Sequence, residues 1–173
     1  MNTKTKLLVV LVGLCVSANA SAQTSWSDRV KYEPDQAIYS RNEFSLDVFG
    51  AYASRNKYGD DISAWGPGVG VNYFLTENFG FGADTYADAF NWPYMLNTTA
   101  IFRYPIGKTG FAPYAYVGFG RQWSHATQWF ADMAGGIEFR FNPRTGFFTD
   151  LRGMFPGETD NYLLWRFGFR FAF

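Results

Sequence analysis

The last thirteen residues, 161–173, alternate strictly between two kinds of side chain. Successive side chains of a β-strand point to opposite faces, so the alternation divides the segment into two faces. One face carries Arg166 and Arg170. The other consists of large apolar groups: Leu163, Trp165, Phe167, Phe169, Phe171 and Phe173. A continuous apolar face backed by charges is typical of a strand that faces lipid and lines a polar lumen. The segment therefore predicts a membrane-spanning β-strand.

The first 22 residues have the pattern of a secretory signal peptide. Lys4 and Lys6 precede an apolar stretch, residues 7–16, and small residues follow at 18–22 with the spacing that a signal peptidase reads. The apolar stretch is too short to span a bilayer as a helix. We expect cleavage after Ala22, or after Ala20, and export of the remaining chain. The only cysteine, Cys15, lies in this segment, so we expect no disulfide in the mature protein.

The composition narrows the class of protein further. The 15 Lys and Arg residues balance the 15 Asp and Glu residues, and no basic run is present, which argues against binding to nucleic acid. Aromatic residues reach 21%, yet no segment after the signal approaches the roughly 20 apolar residues of a membrane helix. Only helices and closed barrels satisfy their backbone polar groups in lipid. An aromatic-rich chain without a spanning helix therefore favours a closed barrel.

Eight segments with period two follow residue 42 and predict an all-β fold. We expect an eight-stranded antiparallel up-and-down transmembrane β-barrel with short turns and short outer loops. The domains are then a signal peptide (1–22), an N-terminal periplasmic segment (23–42) and an outer-membrane barrel (43–173). A soluble sandwich or lipocalin-like barrel shares the alternation but would bury its apolar face. The predicted strands are Glu43–Ala53, Trp65–Phe74, Phe79–Ala89, Tyr94–Tyr104, Phe111–Gln122, Trp129–Phe141, Phe147–Phe155 and Asn161–Phe173.

The terminal run from Trp165 to Phe173 resembles the C-terminal β-signal of small outer-membrane barrels, and the whole pattern resembles the family of the OmpA transmembrane domain and OmpX. The resemblance implies that the outer-membrane insertion machinery binds this run transiently, through Trp165, Phe167, Phe169, Phe171 and Phe173. It also implies a location in the cell outer membrane, in contact with its lipids and lipopolysaccharide, as a monomer. The outer loops are shorter than those of family members with adhesion roles, which argues against host binding.

Charged residues collect on the predicted inner face. Folding the last two strands together places Asp150 across from Arg166, and closing the first strand on the eighth brings Asp47 towards Arg170. Glu138 and Arg140 are expected to lie diagonally near Arg152 and Asp150. We predict one lumen charge network of seven residues: Asp47, Glu138, Arg140, Asp150, Arg152, Arg166 and Arg170. Such a network either fills the lumen as a polar core or lines a narrow water path that conducts ions.

Aromatic residues with polar edges cluster near the predicted strand ends. Amphipathic rings at such positions anchor barrels at the two membrane interfaces. A sugar-binding or base-stacking platform would need these rings on one exposed face, but they are spread over several strands. We expect the interfacial aromatics to be Trp65, Tyr73, Trp92, Tyr94, Tyr104, Trp123, Trp129 and Tyr162.

Evidence for chemistry in the sequence is weak. His125, the only histidine, lies near Ser124, Thr127 and the carboxylate of Asp132, the residue types that a lipid A-modifying barrel enzyme would use to activate a nucleophile. Proximity in sequence is weak support, so we expect a non-enzymatic protein without cofactor or metal. The expected role is structural, in envelope integrity, with a lumen largely filled by polar side chains; a narrow pore and a lipid A-modifying enzyme are the alternatives.

Overall fold

The computed structural model describes residues 37–57, 60–87, 95–123 and 127–173, and these form eight β-strands. The strands are β1 (Glu43–Lys57), β2 (Asp60–Phe74), β3 (Phe79–Tyr86), β4 (Met95–Arg103), β5 (Phe111–Gln122), β6 (Gln128–Asn142), β7 (Thr145–Pro156) and β8 (Tyr162–Ala172). Each strand pairs antiparallel with its neighbours in the chain, and β1 pairs with β8, so the sheet closes. The predicted fold is confirmed. No helix among the described residues is long and apolar enough to cross a membrane.

The barrel has two distinct ends. The turns that join β2 to β3, β4 to β5 and β6 to β7 lie at one end, together with residues 37–42 and Phe173. We call this the terminal end, and the opposite end, where the other four connections lie, the loop end. The seam between β1 and β8 runs from Ser45 opposite Ala172 to Ser54 opposite Leu163. The backbone NH of Phe173 continues it by donating to the carbonyl of Phe44 at 2.9 Å.

The first hairpin is longer than the alternation predicts. β1 extends to Lys57 and β2 begins at Asp60, so the two strands stay paired four residues beyond the predicted end at Ala53. Backbone hydrogen bonds between antiparallel strands do not depend on apolar side chains. A hairpin can therefore continue past its last alternating apolar residue, and hydrophobic periodicity cannot mark its tip.

Side chains alternate between a crowded interior and an apolar exterior. Large apolar groups such as Val117, Phe119 and Phe169 are exposed on the outer face, whereas charged groups lie buried inside. Glycines on the inner face make room for large neighbours. The ring of Phe49, for example, lies over Gly68 of β2, and its backbone packs against Gly168 of β8.

Candidate functional site

The interior at the terminal end contains six charged side chains of balanced sign, which we call the terminal cluster. Arg170 binds Asp47 through two hydrogen bonds of 2.7 Å and reaches Glu138 at 2.6 Å. Arg140 binds the same Glu138 at 2.6 Å and, from β6, contacts Glu43 of β1 across the lumen at 2.5 Å. Three carboxylates thus face three guanidinium groups. The members are Glu43, Asp47, Arg103, Glu138, Arg140 and Arg170.

A second group of charges, the loop-end cluster, lies nearer the loops. Arg152 binds Asp84 with two hydrogen bonds of 3.0 and 2.7 Å, and Arg166 binds Asp150 with two of 2.9 and 2.8 Å. Asp132 lies 3.2 Å from Arg152. Two tyrosines complete the cluster, because Tyr114 donates to Asp150 at 2.6 Å and Tyr116 accepts from both arginines. The members are Asp84, Tyr114, Tyr116, Asp132, Asp150, Arg152 and Arg166.

Two phenylalanine rings separate the clusters. Phe49 of β1 and Phe148 of β7 both lie opposite Gly168, between the levels of Arg166 and Arg170. The rings meet edge to face at 6.2 Å between centroids. Arg166 lies 5.0 Å from the Phe49 centroid, and Arg170 lies 5.2 Å from that of Phe148, so cations flank the rings from both clusters. An aromatic layer therefore divides the polar interior.

Tyr39 closes the terminal end. Its ring lies 4.6 Å from the guanidinium carbons of both Arg103 and Arg140, and its hydroxyl donates to the carbonyl of Gly110 at 2.6 Å. Arg140 also donates to the carbonyl of Ile38 at 3.1 Å. Burial raises the pKa of the Tyr39 phenol above its ordinary value, and the nearby Glu138 carboxylate adds to the effect. Ile38 and Tyr39, which precede β1 in the chain, thus complete the terminal cluster at this end of the barrel.

Within the described part of the chain, the interior is filled by buried side chains. The ion-paired side chains of both clusters are 0–8% exposed. Beyond the loop-end cluster, an apolar layer of fully buried side chains follows: Met95, Phe130, Met154 and Leu164. Polar groups, aromatic rings and apolar side chains therefore fill successive levels, as the small diameter of an eight-stranded barrel requires.

The seven residues of the predicted lumen network are all buried inside the barrel. Asp150 pairs with Arg166, and Asp47 pairs with Arg170, as expected from the pairing of adjacent strands. One part of the prediction needs correction: Glu138 and Arg140 do not approach Arg152 and Asp150 but belong to the terminal cluster. The reason is that the Phe49 and Phe148 layer lies between them, so the charges form two clusters rather than one.

The prediction also missed charged residues that complete both clusters. Glu43, Asp84, Arg103 and Asp132 all lie at inward positions and carry ion pairs. The alternation of inward and outward positions along the strands already places these four residues inside. This signal is therefore sufficient to identify them as interior charges. Their partners could not be found in this way, because contacts such as Arg103 of β4 to Glu43 of β1 cross the lumen between strands that are not adjacent.

Five predicted interfacial aromatics are exposed on the outer face: Trp65, Tyr73, Tyr104, Trp123 and Trp129. Tyr162 is a correction, because its side chain is 7% exposed and points inward with the same parity as Arg166. Trp92 and Tyr94 lie outside the described residues. The aromatic residues of the terminal run point outward, namely Trp165, Phe167, Phe169, Phe171 and Phe173.

Of the suggested catalytic residues, the structure describes only Thr127 and Asp132. Ser124 and His125 lie outside the described residues, as does the signal segment 1–22. Asp132 is inside the barrel, where it binds Arg152 and accepts a hydrogen bond of 2.8 Å from Asn97. Within the described ranges, no group of three or more His, Cys, Asp or Glu side chains is arranged to hold a metal ion.

Comparison with solved structures identifies the fold. The chain is similar to the N-terminal β-barrel domain of Pseudomonas aeruginosa OprF, with 18% identity, a TM-score of 0.57 and coverage of 78% of this chain and 99% of that one. The chain is also similar to Neisserial surface protein A (NspA), with 13% identity, a TM-score of 0.60 and coverage of 75% of this chain and 97% of that one. A third similar structure is the outer membrane protein OprG of Pseudomonas aeruginosa, with 13% identity, a TM-score of 0.55 and coverage of 80% of this chain and 99% of that one.

The sequence comparisons found no relative. No family model matches the chain, and no curated protein matches it in sequence. At identities of 11–18%, the structural likeness extends to the architecture and not to a particular activity. The chain has the fold of the small eight-stranded outer-membrane β-barrels, as the resemblance of its terminal strand implied.

Proposed function

We propose that this protein is a monomeric integral outer-membrane barrel with a structural role in envelope integrity and no chemistry of its own. A cleaved signal peptide delivers it, the insertion machinery binds its terminal run transiently, and its outer face contacts outer-membrane lipids and lipopolysaccharide. The exposed apolar exterior supports a membrane location, because soluble proteins rarely expose apolar patches of this extent. The likeness to outer-membrane barrels points to the same membrane.

The observation that carries the structural role is the filled interior. Ion-paired side chains at both ends of the lumen are almost fully buried, and an aromatic layer lies between them. A barrel filled in this way is a rigid body with a lipid-facing surface rather than a conduit. Its contribution to the envelope would then come from its wall and its ends.

Cell fractionation combined with gel mobility before and after boiling tests location and fold together. We expect the protein in the outer-membrane fraction, with faster migration when unboiled. A deletion strain should become more sensitive to detergents and large antibiotics, and restoring the gene should reverse this. Recovery of the processed protein in the soluble periplasmic fraction contradicts the membrane assignment, and unchanged sensitivity contradicts the envelope role.

A narrow ion-conducting pore is the second candidate, supported by the charged residues of the two clusters inside the lumen. Refolded protein in a planar bilayer distinguishes the two, since a structural barrel gives no unitary current and a pore gives reproducible steps. Lipid A mass spectrometry of cells that carry the wild-type protein or His125→Ala tests for enzymatic modification. A change in acylation that depends on His125 would overturn the non-enzymatic proposal.

A further inference from the structure

Arg121 differs from the other arginines of the barrel wall. It lies one residue before the end of β5, at the loop end, and its exposed side chain points outward. The other strand arginines whose side chains the structure describes point inward and form ion pairs with buried carboxylates. These are Arg103, Arg140, Arg152, Arg166 and Arg170. Arg121 is therefore the one cation among them on the apolar exterior.

Its surroundings are aromatic and apolar. The guanidinium carbon lies 5.3 Å from the centroid of the Trp129 ring, which is directly opposite on β6. Trp129 in turn stacks on Phe119 at 5.0 Å, and Leu96 lies opposite Arg121 on β4. Among the described residues, no carboxylate lies within ion-pair distance of Arg121. The cation lies against the Trp129 ring, and no side chain in the described ranges occupies its hydrogen-bond donors.

The position suits a charge at the boundary between hydrocarbon and water. A charge on the lipid-facing side of a barrel is costly at mid-bilayer and nearly free at the interface. Exposed Trp123 and Trp129 mark that interface at the loop end. Guanidinium groups bind phosphate through paired hydrogen bonds, and a long arginine side chain can reach from apolar surface to the headgroups.

We propose that Arg121, with Trp129 beneath it and Trp123 beside it, binds a phosphate group of lipid A in the outer leaflet. The inference rests on the proposed function, which sets the membrane, and on the periplasmic location expected for residues 23–42, of which 37–42 lie at the terminal end. The loop end then faces the leaflet whose phosphorylated lipid is lipopolysaccharide. The inward arginines obtain their counter-charge from the protein, and Arg121 obtains it from the lipid.

Native mass spectrometry of the folded, detergent-solubilised protein with added lipid A tests this proposal. Wild type, Arg121→Gln, Arg121→Lys and the control Arg144→Gln are compared, since Arg144 is an exposed arginine in the turn at the opposite end. We expect Arg121→Gln to bind bisphosphorylated lipid A about tenfold more weakly, as expected from the loss of one hydrogen-bonded charge contact. Arg121→Lys should retain part of the affinity, and Arg144→Gln should bind like wild type. Dephosphorylated lipid A should bind wild type and Arg121→Gln equally.

Each other outcome overturns the assignment. Equal binding of lipid A by wild type and Arg121→Gln removes Arg121 from the site. A loss of lipid A binding with Arg144→Gln, but not with Arg121→Gln, places the phosphate at the terminal end. Phosphatidylglycerol that binds as tightly as lipid A, and loses affinity with Arg121→Gln, makes the occupant an ordinary phospholipid. Outer-membrane fractionation and heat-modifiable mobility of each variant keep these results separate from a failure of the proposed function.

Discussion

Arg166 is one of the two guanidinium groups of the loop-end cluster, and each of them makes three side-chain hydrogen bonds. It binds Asp150 twice and Tyr116 once, and it lies 3.3 Å from Asp84. Removing one partner of a buried ion pair leaves uncompensated charge in a medium of low polarity, which typically costs about 3–5 kcal/mol. Arg166→Ala should therefore lower the free energy of unfolding by about that amount and lower the melting temperature in detergent.

The control for this change is Arg144→Ala, which removes an exposed turn arginine and should leave the melting temperature close to that of wild type. Circular dichroism during heating in the same detergent measures both variants. An Arg166→Ala protein that melts with the wild type would contradict a stabilising role for the cluster.

Tyr39 contributes a single hydroxyl hydrogen bond that can be removed without removing its ring. Tyr39→Phe deletes the 2.6 Å hydrogen bond to the Gly110 carbonyl but retains the ring between Arg103 and Arg140. A net loss of about 1 kcal/mol in the free energy of unfolding is expected at pH 8. Urea unfolding of the lipid-refolded protein measures it, and identical midpoints for the two proteins would show that the hydroxyl contributes nothing.

The same pair of proteins gives a pH prediction. The pKa of the Tyr39 phenol is raised in the folded protein, whereas the unfolded chain loses this proton near its ordinary pKa of about 10. The stability that Tyr39 confers is therefore complete below pH 10 and is lost as the pH rises above it, because only the unfolded state gains from ionisation there. The stability difference between wild type and Tyr39→Phe should shrink from pH 9 to pH 11. A constant difference over that interval would mean that the phenol is not held neutral by the fold.

At the scale of the strand, β8 depends on a close approach to β1. An ideal Cβ added to Gly168 would lie 2.6 Å from both Cα and Cβ of Phe49, and no side-chain rotation can relieve a contact with the backbone. Gly168→Ala should destabilise the barrel by about 1–3 kcal/mol through overpacking at the seam. Gly135→Ala is the matched control, since nothing lies within 4 Å of its added Cβ on β6.

Gly135→Ala should be neutral or stabilising by up to about 1 kcal/mol, because alanine restricts the unfolded chain more than glycine does. Urea titration of both variants after refolding into the same lipid gives the comparison. Equal stability of the two variants would show that the seam is looser at Gly168 than the fold indicates.

The strands themselves could be predicted because each carries its own signal. Period-two alternation identifies all eight and sorts inner from outer residues, so that even the least patterned strand, β5, has Tyr116 inside and Val117 outside. The signal fails at strand tips, since Lys57 of β1 and Asp60 of β2 are paired beyond the last alternating apolar residues. For Tyr162, the aromatic character predicts an interfacial position, but the residue alternates in step with Arg166 and therefore lies inside.

At the scale of the whole molecule, several layers of side chains fill the lumen one after another. Tyr39, the two charge clusters, the Phe49 and Phe148 rings and the buried Met95 layer each block the interior at a different level. Tyr39→Ala should therefore remain non-conducting in a planar bilayer, although it opens the terminal end. Insertion of the variant is verified by its heat-modifiable mobility, and steady unitary currents from Tyr39→Ala alone would contradict layered closure.

The charge clusters could be predicted only in part, because their geometry belongs to the closed barrel. Neighbouring-strand pairs such as Asp150 with Arg166 follow from a single turn and its register. The contacts from Arg140 of β6 to Glu43 of β1, and from Arg152 of β7 to Asp84 of β3, depend on how far the strands shift around the circumference. Alternation contains no information about that shift, so the division into two clusters could not be derived from sequence.

The seam between β1 and β8 has a consequence for assembly. It joins Asp47 to Arg170, which are 123 positions apart in the chain, so the ring is completed by contacts between the most distant strands. Any intermediate in which the sheet has not yet closed exposes two unpaired strand edges, which are templates for association with other chains. Both edges vanish in the same event when β8 meets β1. Formation of this barrel should accordingly finish in one cooperative last step, with the greatest hazard of aggregation immediately before it.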